Sequence, residues 1–348
     1  MDNNILSFLN SDFFISSLQA FALTIFGAWV WDTFLRVKRR YSTQRADRKS
    51  QKSFASYNPA DDGLIKLNQW SLSHPLKRRN HKVIVDPQRP SQGFIPSEKL
   101  TLESEKLQKA GYSGDICYLT GVQIDHNESV AGRVFSLKVT PCDYSEHIAA
   151  CKIVGSDDKT RNEIISRMRD NPFKYLSNPV PSNIFVNVVV LSRENFLAVR
   201  RSRSVETAKD EWVPGVAETM KIKIDLPGDE EDLFTLSRRC LKEELNLDED
   251  MYGEINIAWF GLSELTLGAI AIAVVELKDD ITEMYVEDLA SNSHSSYEQD
   301  GFKWFPLNEA KLTSFIDGTD KDLSNMRWIN FTKKSLIEAL RFKTLFRL

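Results

Sequence analysis

Nineteen consecutive uncharged residues, 13–31, open the hydrophobic pattern of this chain, and no later run matches their length. At helical rise they extend about 28 Å, close to the hydrocarbon thickness of a bilayer, and so predict one membrane-spanning helix. Residues 41–59 are polar and read as a linker, and periodic structure resumes near Asp61. Residues 116–124 and 133–140 are β-like runs separated by Asp125-His126-Asn127-Glu128, which predicts a hairpin. A helix is expected over 159–170, ended by Pro172. A second hairpin is expected at 184–191 and 196–200. Leu233, Leu236, Cys240 and Leu241 then share one face of a helix at 230–245. Further strands at 254–260, 269–277 and 301–305 and a closing amphipathic helix at 336–346 complete the pattern. The expected architecture is a single N-terminal transmembrane helix followed by an α+β fold, an α/β/α sandwich on a mixed sheet.

Charge sharpens the first element. Residues 1–35 hold three Asp and no Lys or Arg, whereas residues 36–52 carry a net charge of +7. Positive flanks stay in the cytoplasm, so the expected topology is N-terminus out and C-terminus in, with Trp29 and Trp31 suited to the interface. The basic residues follow the apolar run rather than precede it, which argues against a cleaved leader. Ser16, Ala20, Thr24 and Ala28 recur every four residues along the span, a stripe that lets helices approach and associate. The expected division is 1–35 with the membrane helix at about 13–35, a basic juxtamembrane linker at 36–60, an α+β part at 61–180 and a last domain at 181–348. Lys77-Arg78-Arg79 reads as a solvated loop. Cys117, Cys142, Cys151 and Cys240 have no zinc-like spacing and read as free thiols of a reducing compartment.

The chemistry lies in 181–348. Val188-Val189-Val190-Leu191, Phe196 to Arg201, Trp212-Val213-Pro214-Gly215, Glu218 and then Arg239-Cys240-Leu241-Lys242-Glu243-Glu244-Leu245-Asn246-Leu247 together resemble a Nudix domain. That family sets Gly and Glu before Arg-Glu-aliphatic-x-Glu-Glu-x-Gly-aliphatic. Glu231 stands the expected eight positions before Arg239, and about ten extra residues separate it from Glu218. The resemblance implies a helix whose carboxylates hold Mg²⁺ against a diphosphate. Glu243 and Glu244 keep two such ligands. Cys240 replaces a glutamate with a neutral thiol, Asn246 replaces the usual Gly, and Val216 replaces another. Binding is therefore expected to outlive hydrolysis, and Mg²⁺ is the cofactor that residual catalysis would need.

Arg200, Arg201 and Arg203 sit where the second strand enters the loop that faces the nucleotide cleft in Nudix domains, and guanidinium forks suit phosphate. Glu218 lines the same cleft. Trp212 and Trp259 read either as stacking rings or as core. An N-terminal span with an eroded cytoplasmic box resembles the membrane-bound Nudix effectors of bacterial cyclic-oligonucleotide antiphage signalling. That resemblance implies an inner-membrane protein that senses a cyclic di- or trinucleotide, assembles into a homo-oligomer through its membrane helices and disrupts the bilayer. No nucleic-acid polymer is expected as partner. A membrane-tethered hydrolase of nucleoside diphosphate derivatives, using Glu218, Glu231, Glu243 and Glu244, stays open beside it.

Overall fold

The computed structural model describes residues 57, 62–67, 76, 78–86, 88, 94–127, 132–203, 205, 208–222 and 231–346. The expected membrane span, its stripe of Ser16, Ala20, Thr24 and Ala28, and nearly all of the basic linker lie outside them. No described helix is long and apolar enough to cross a membrane.

The central sheet has eight strands. Its path runs β1 (Leu64–Lys66), β9 (Asn256–Ser263), β10 (Ala269–Glu276), β5 (Ile184–Ser192), β6 (Asn195–Arg201) and β11 (Gln299–Pro306). β7 (Trp212–Pro214) pairs with β6, and β8 (Val216–Thr219) pairs with β5. β5 and β10 are parallel and the remaining pairs antiparallel, so the sheet is mixed. All nine residues of β5 are buried, because both faces of the sheet are covered. Alternation along that strand divides the core. Val186, Val188 and Val190 pack on one face with α5 (Leu233–Leu245), whose Leu233, Leu236, Cys240 and Leu241 are buried there. Phe185, Val189 and Leu191 pack on the other face with Phe331 and with Leu336, Ile337 and Phe342 of α9 (Thr332–Phe346).

A smaller sheet, β2 (His81–Val85), β4 (Gly132–Asp143) and β3 (Asp115–Asn127), lies on the α5 face. The β3–β4 hairpin has the pairing expected from the sequence. α1 (Ser97–Lys109), α2 (Tyr144–Gly155), α3 (Asp158–Asp170) and α4 (Pro172–Leu176) surround it. One apolar cluster joins Phe135, Leu137, Ile164 and Met168 to the valines of β5. Residues 61–180 therefore do not close a core of their own, and their first strand, β1, belongs to the large sheet. α6 (Glu283–Ser291), α7 (Glu309–Ile316) and α8 (Lys321–Ser324) link the later strands.

Two backbone positions explain motif residues. A Cβ at Gly215, with φ +84°, would collide with the carbonyl oxygen of Val188 on the neighbouring strand. Asn246 closes α5 at φ 54° in the left-handed region, where the family pattern has Gly. The Leu247 amide donates to the Leu241 carbonyl at 3.2 Å and the Asn246 amide to that of Lys242 at 3.0 Å, a paired closure of the helix end. Asn is the side chain that tolerates this conformation best after Gly, so the substitution preserves the turn.

Candidate functional site

Arg239 is the centre of the α5 face. Its guanidinium donates to both carboxylate oxygens of Glu231, Nε to Oε1 at 2.6 Å and Nη2 to Oε2 at 3.0 Å. Nη2 also donates to the Thr219 carbonyl at 2.7 Å, and Nη1 to Glu243 at 3.0 Å, one helical turn on. Glu218 of β8 lies 3.4 Å from Nη1. Three carboxylates thus converge on one cation. Burial opposes its charge, but the bonds to Glu231 and the charges of Glu231, Glu218 and Glu243 hold the guanidinium well above its ordinary pKa. The eight-residue spacing of Glu231 and Arg239 is here a physical pair that ties the segment just before the helix cap to the second turn of the helix. The Glu231 carboxylate also accepts from the Lys221 amide at 2.8 Å, which fastens the chain leading out of β8.

The other motif residues are also engaged. Glu243 takes the Lys221 ammonium at 3.4 Å as well as Arg239. Glu244 is 4% exposed and accepts from Gln299 Nε2 of β11 at 2.6 Å. Burial raises its pKa, the Gln299 bond opposes this, and the neighbouring charges of Glu298 and Glu218 add to it, so the carboxyl is pushed up to about 7. Cys240 is fully buried in the apolar cluster with Leu236 and Leu241, and burial followed by the charges of Glu244 and Glu218 drives its thiol far up. A glutamate would not be housed there as an ion.

Mg²⁺ needs several free oxygens around one point. Among the described residues no group of three or more His, Cys, Asp or Glu is placed to hold a metal ion. Glu231 and Glu243 face cations, Glu244 faces an amide, and position 240 offers a buried thiol. The arrangement of these described residues does not fit a metal centre.

The arginines are divided by the sheet. Residues 197 and 199 of β6 face α5, whereas 196 and 198 face α9, and the same alternation separates Arg201 from Arg200. Arg201 is half-buried beside the carboxylates, 3.4 Å from Glu298. Arg200 pairs with Asp210 through Nε at 2.7 Å, and Arg203 reaches the same carboxylate at 3.2 Å. Those two bonds hold Asp210 below the usual carboxylate range. Trp212 packs on the α9 face with Trp328, centroids 6.4 Å apart, with Lys303 5.2 Å above its ring. Trp259 is core. The structure therefore gathers Arg201, Glu218, Glu231, Arg239, Glu243 and Glu244 on one face, and sets Arg200, Arg203 and Trp212 apart from them.

Contacts from distant sequence complete the site. His81 of β2 is 6% exposed, with Nδ1 3.1 Å from the Phe135 carbonyl and Nε2 accepting from the Leu233 amide at 3.3 Å. That geometry fixes the neutral ring with its proton on Nδ1. Burial lowers its pKa against the opposing Phe135 bond and Asp232 charge. Arg78 reaches Asp232, which caps α5, at 3.3 Å. Arg78 and Arg79 are exposed, as expected of a solvated loop, and Arg78 also makes this surface contact with the start of the helix. His81, Lys221, Glu298 and Gln299 carry no local pattern and were outside the sequence reading.

No family model and no curated protein matches the chain. Among solved structures it is similar to DR0079 from Deinococcus radiodurans, at 16% identity over 44% of this chain and 80% of that one, TM-score 0.31. It is similar to an Ap4A hydrolase of C. elegans in a binary complex, at 19% identity over 40% of this chain and 92% of that one, TM-score 0.25. A MutT protein from Methanosarcina mazei Go1 gives 20% identity over 40% and 94%, TM-score 0.25. Likeness at these scores carries no argument, and the mixed-sheet α+β architecture, a helix on each face, rests on the strand registers and packing above.

Proposed function

We propose that the α5 face binds the phosphates of a nucleotide ligand and holds it without turnover. The observation that carries this reading is Cys240, a thiol sealed in the core where the Nudix pattern requires a carboxylate, beside an otherwise assembled Glu231–Arg239 frame. The frame fixes Glu218, Glu231 and Glu243 about Arg239, and the missing carboxylate removes a ligand that transition-state charge stabilisation by a metal would need. Arg201, half-buried on this face 3.4 Å from Glu298, supplies the phosphate contact. With the charge asymmetry of residues 1–52, this supports a single-pass inner-membrane effector whose cytoplasmic domain senses a cyclic di- or trinucleotide. Ligand binding assembles the membrane helices through Ser16, Ala20, Thr24 and Ala28, and the oligomer breaches the bilayer during phage infection.

The full chain in dye-loaded liposomes tests this with cyclic di-AMP, cyclic GMP-AMP and cyclic tri-AMP. Dye release with one of them, and no loss of that nucleotide over the same period, is expected. Silence with all three would contradict the sensor. A second reading, a tethered hydrolase, draws on Glu244, whose pKa of about 7 suits a proton carrier. It requires Mg²⁺-dependent turnover of a probe such as ADP-ribose, without dye release.

A further inference from the structure

Among the described residues Tyr297 presents the most exposed Phe, Tyr or Trp ring, 68% open to solvent. Scattered exposed apolar rings are common and need no explanation by themselves. This one differs in how firmly its backbone is set and in what lies beside it. It occupies a short turn, Ser296–Glu298, between α6 and β11. The Ser295 amide donates to the Glu243 carbonyl at 3.3 Å, and Gln299 Nε2 donates to the Glu244 carbonyl at 3.1 Å as well as to its carboxylate. From the other side the Ser202 amide donates to the Glu298 carbonyl at 2.8 Å. The turn is thus stitched to the end of α5 and to the end of β6, the two elements that carry Glu243, Glu244 and Arg201.

The Glu298 carboxylate joins two groups of different chemistry. It pairs with the Arg201 guanidinium at 3.4 Å and bonds the Tyr297 hydroxyl. That bond, then the charge of Glu298 and burial, then the charges of Glu244 and Glu218, raise the phenol's pKa, which places its hydroxyl in the field of the site's carboxylates. The ring lies outside the apolar clusters. An exposed aromatic face on a fixed turn, sharing the Glu298 carboxylate with a guanidinium fork, offers the two surfaces that match a nucleotide, one for its base and one for its phosphate. Aromatic stacking accepts any base, and a ring whose backbone is already fixed loses little freedom on binding.

We propose that Tyr297 is the stacking platform for the base of the ligand held on the α5 face, with Arg201 meeting its phosphate. This rests on the nucleotide-binding reading and adds to it the residue that distinguishes a nucleotide from a bare phosphate. The platform contacts the base through its ring, while the hydroxyl bonds Glu298 and takes no part in stacking.

Calorimetric titration of the full chain with cyclic di-AMP, ADP and inorganic pyrophosphate tests the proposal. Tyr297→Ala is expected to weaken the base-carrying probes about tenfold, equivalent to ~1.4 kcal/mol, and to leave pyrophosphate unchanged. Tyr297→Phe is expected to stay within about twofold for all three, because stacking needs no hydroxyl. Tyr297→Trp is expected to bind at least as well, with its indole fluorescence quenched by cyclic di-AMP or ADP and not by pyrophosphate. Equal loss for pyrophosphate and the nucleotides, or no loss for the nucleotides, would overturn the platform while leaving the nucleotide site standing. Absence of binding by all three to the unaltered chain would overturn the site and the platform together.

Discussion

Glu244 and Glu338 are the same residue type, each 4% exposed, each on a helix covering one face of the central sheet. Their environments are opposite. Glu338 on α9 faces Lys334, and Arg341 at 2.8 Å, and against the cost of burial these cations hold its carboxyl below the usual range. Glu244 on α5 faces a neutral amide and two more carboxylates, and its carboxyl is pushed up to about 7. The contrast teaches that burial alone does not distinguish a site from a strut. The α9 face balances its charge and closes over it. The α5 face sets Glu218, Glu231, Glu243, Glu244 and Glu298 around Arg201, Lys221 and Arg239, and leaves Glu244 bonded to a neutral amide. A buried carboxyl held well above its ordinary pKa is a mark of functional sites rather than of struts.

Substitutions that break the contrast differ in size. Glu338→Ala strands a buried ammonium and is expected to destabilise the chain by about 3–5 kcal/mol in urea denaturation. Arg239→Ala, which leaves three converging carboxylates without their cation, belongs to the same range and is also expected to loosen the approach to α5. Glu244→Gln is expected to act in the opposite direction. The folded carboxyl keeps its proton to about pH 7, whereas the unfolded one releases it near its ordinary value of 4.5. Stability therefore falls as pH rises between those two values, by on the order of 3 kcal/mol, and stays level above. The Gln variant should show no such fall, so its advantage appears at pH 8 and vanishes at pH 4. Asn246→Ala is expected to cost about 1–2 kcal/mol through the left-handed turn, and Asn246→Gly close to nothing.

His81 sharpens the comparison from the acid side. Its depressed pKa means that the fold prefers the neutral ring, so this contribution is complete above the unfolded value of 6.5 and is lost as pH falls below it. Protonation removes the acceptor for the Leu233 amide. His81→Ala is expected to lower stability at neutral pH and to flatten its decline as pH falls below 6.5, measured by denaturation across a pH series.

Local pattern carried much of this fold. The strands expected at 184–191, 196–200 and 269–277 stand as Ile184–Ser192, Asn195–Arg201 and Ala269–Glu276, because continuous β-branched runs bounded by turns have few other solutions. Residue spacing indicated the buried face of α5, and the resemblance marked Glu231 and Arg239 as motif residues whose bond only the structure reveals. What it could not give was partnership across the sheet. Gln299 meets Glu244 from 55 residues away, and His81 meets Leu233 from 152. Arg200 and Arg201 are neighbours in sequence and lie on opposite faces because side chains alternate along a strand. Reading three arginines as one cluster missed that alternation. The grip of Arg78 on Asp232 was equally invisible, since a basic loop and a helix cap have no shared sequence signal.

The claim that this face binds a nucleotide and leaves it intact is tested most directly by ³¹P NMR of cyclic di- and trinucleotides mixed with the full chain and Mg²⁺. The account predicts shifted, broadened phosphodiester resonances for one of them, lost in Arg201→Ala, with no new phosphate signal over hours. Unshifted resonances for every probe, or the growth of a hydrolysis product, would contradict it.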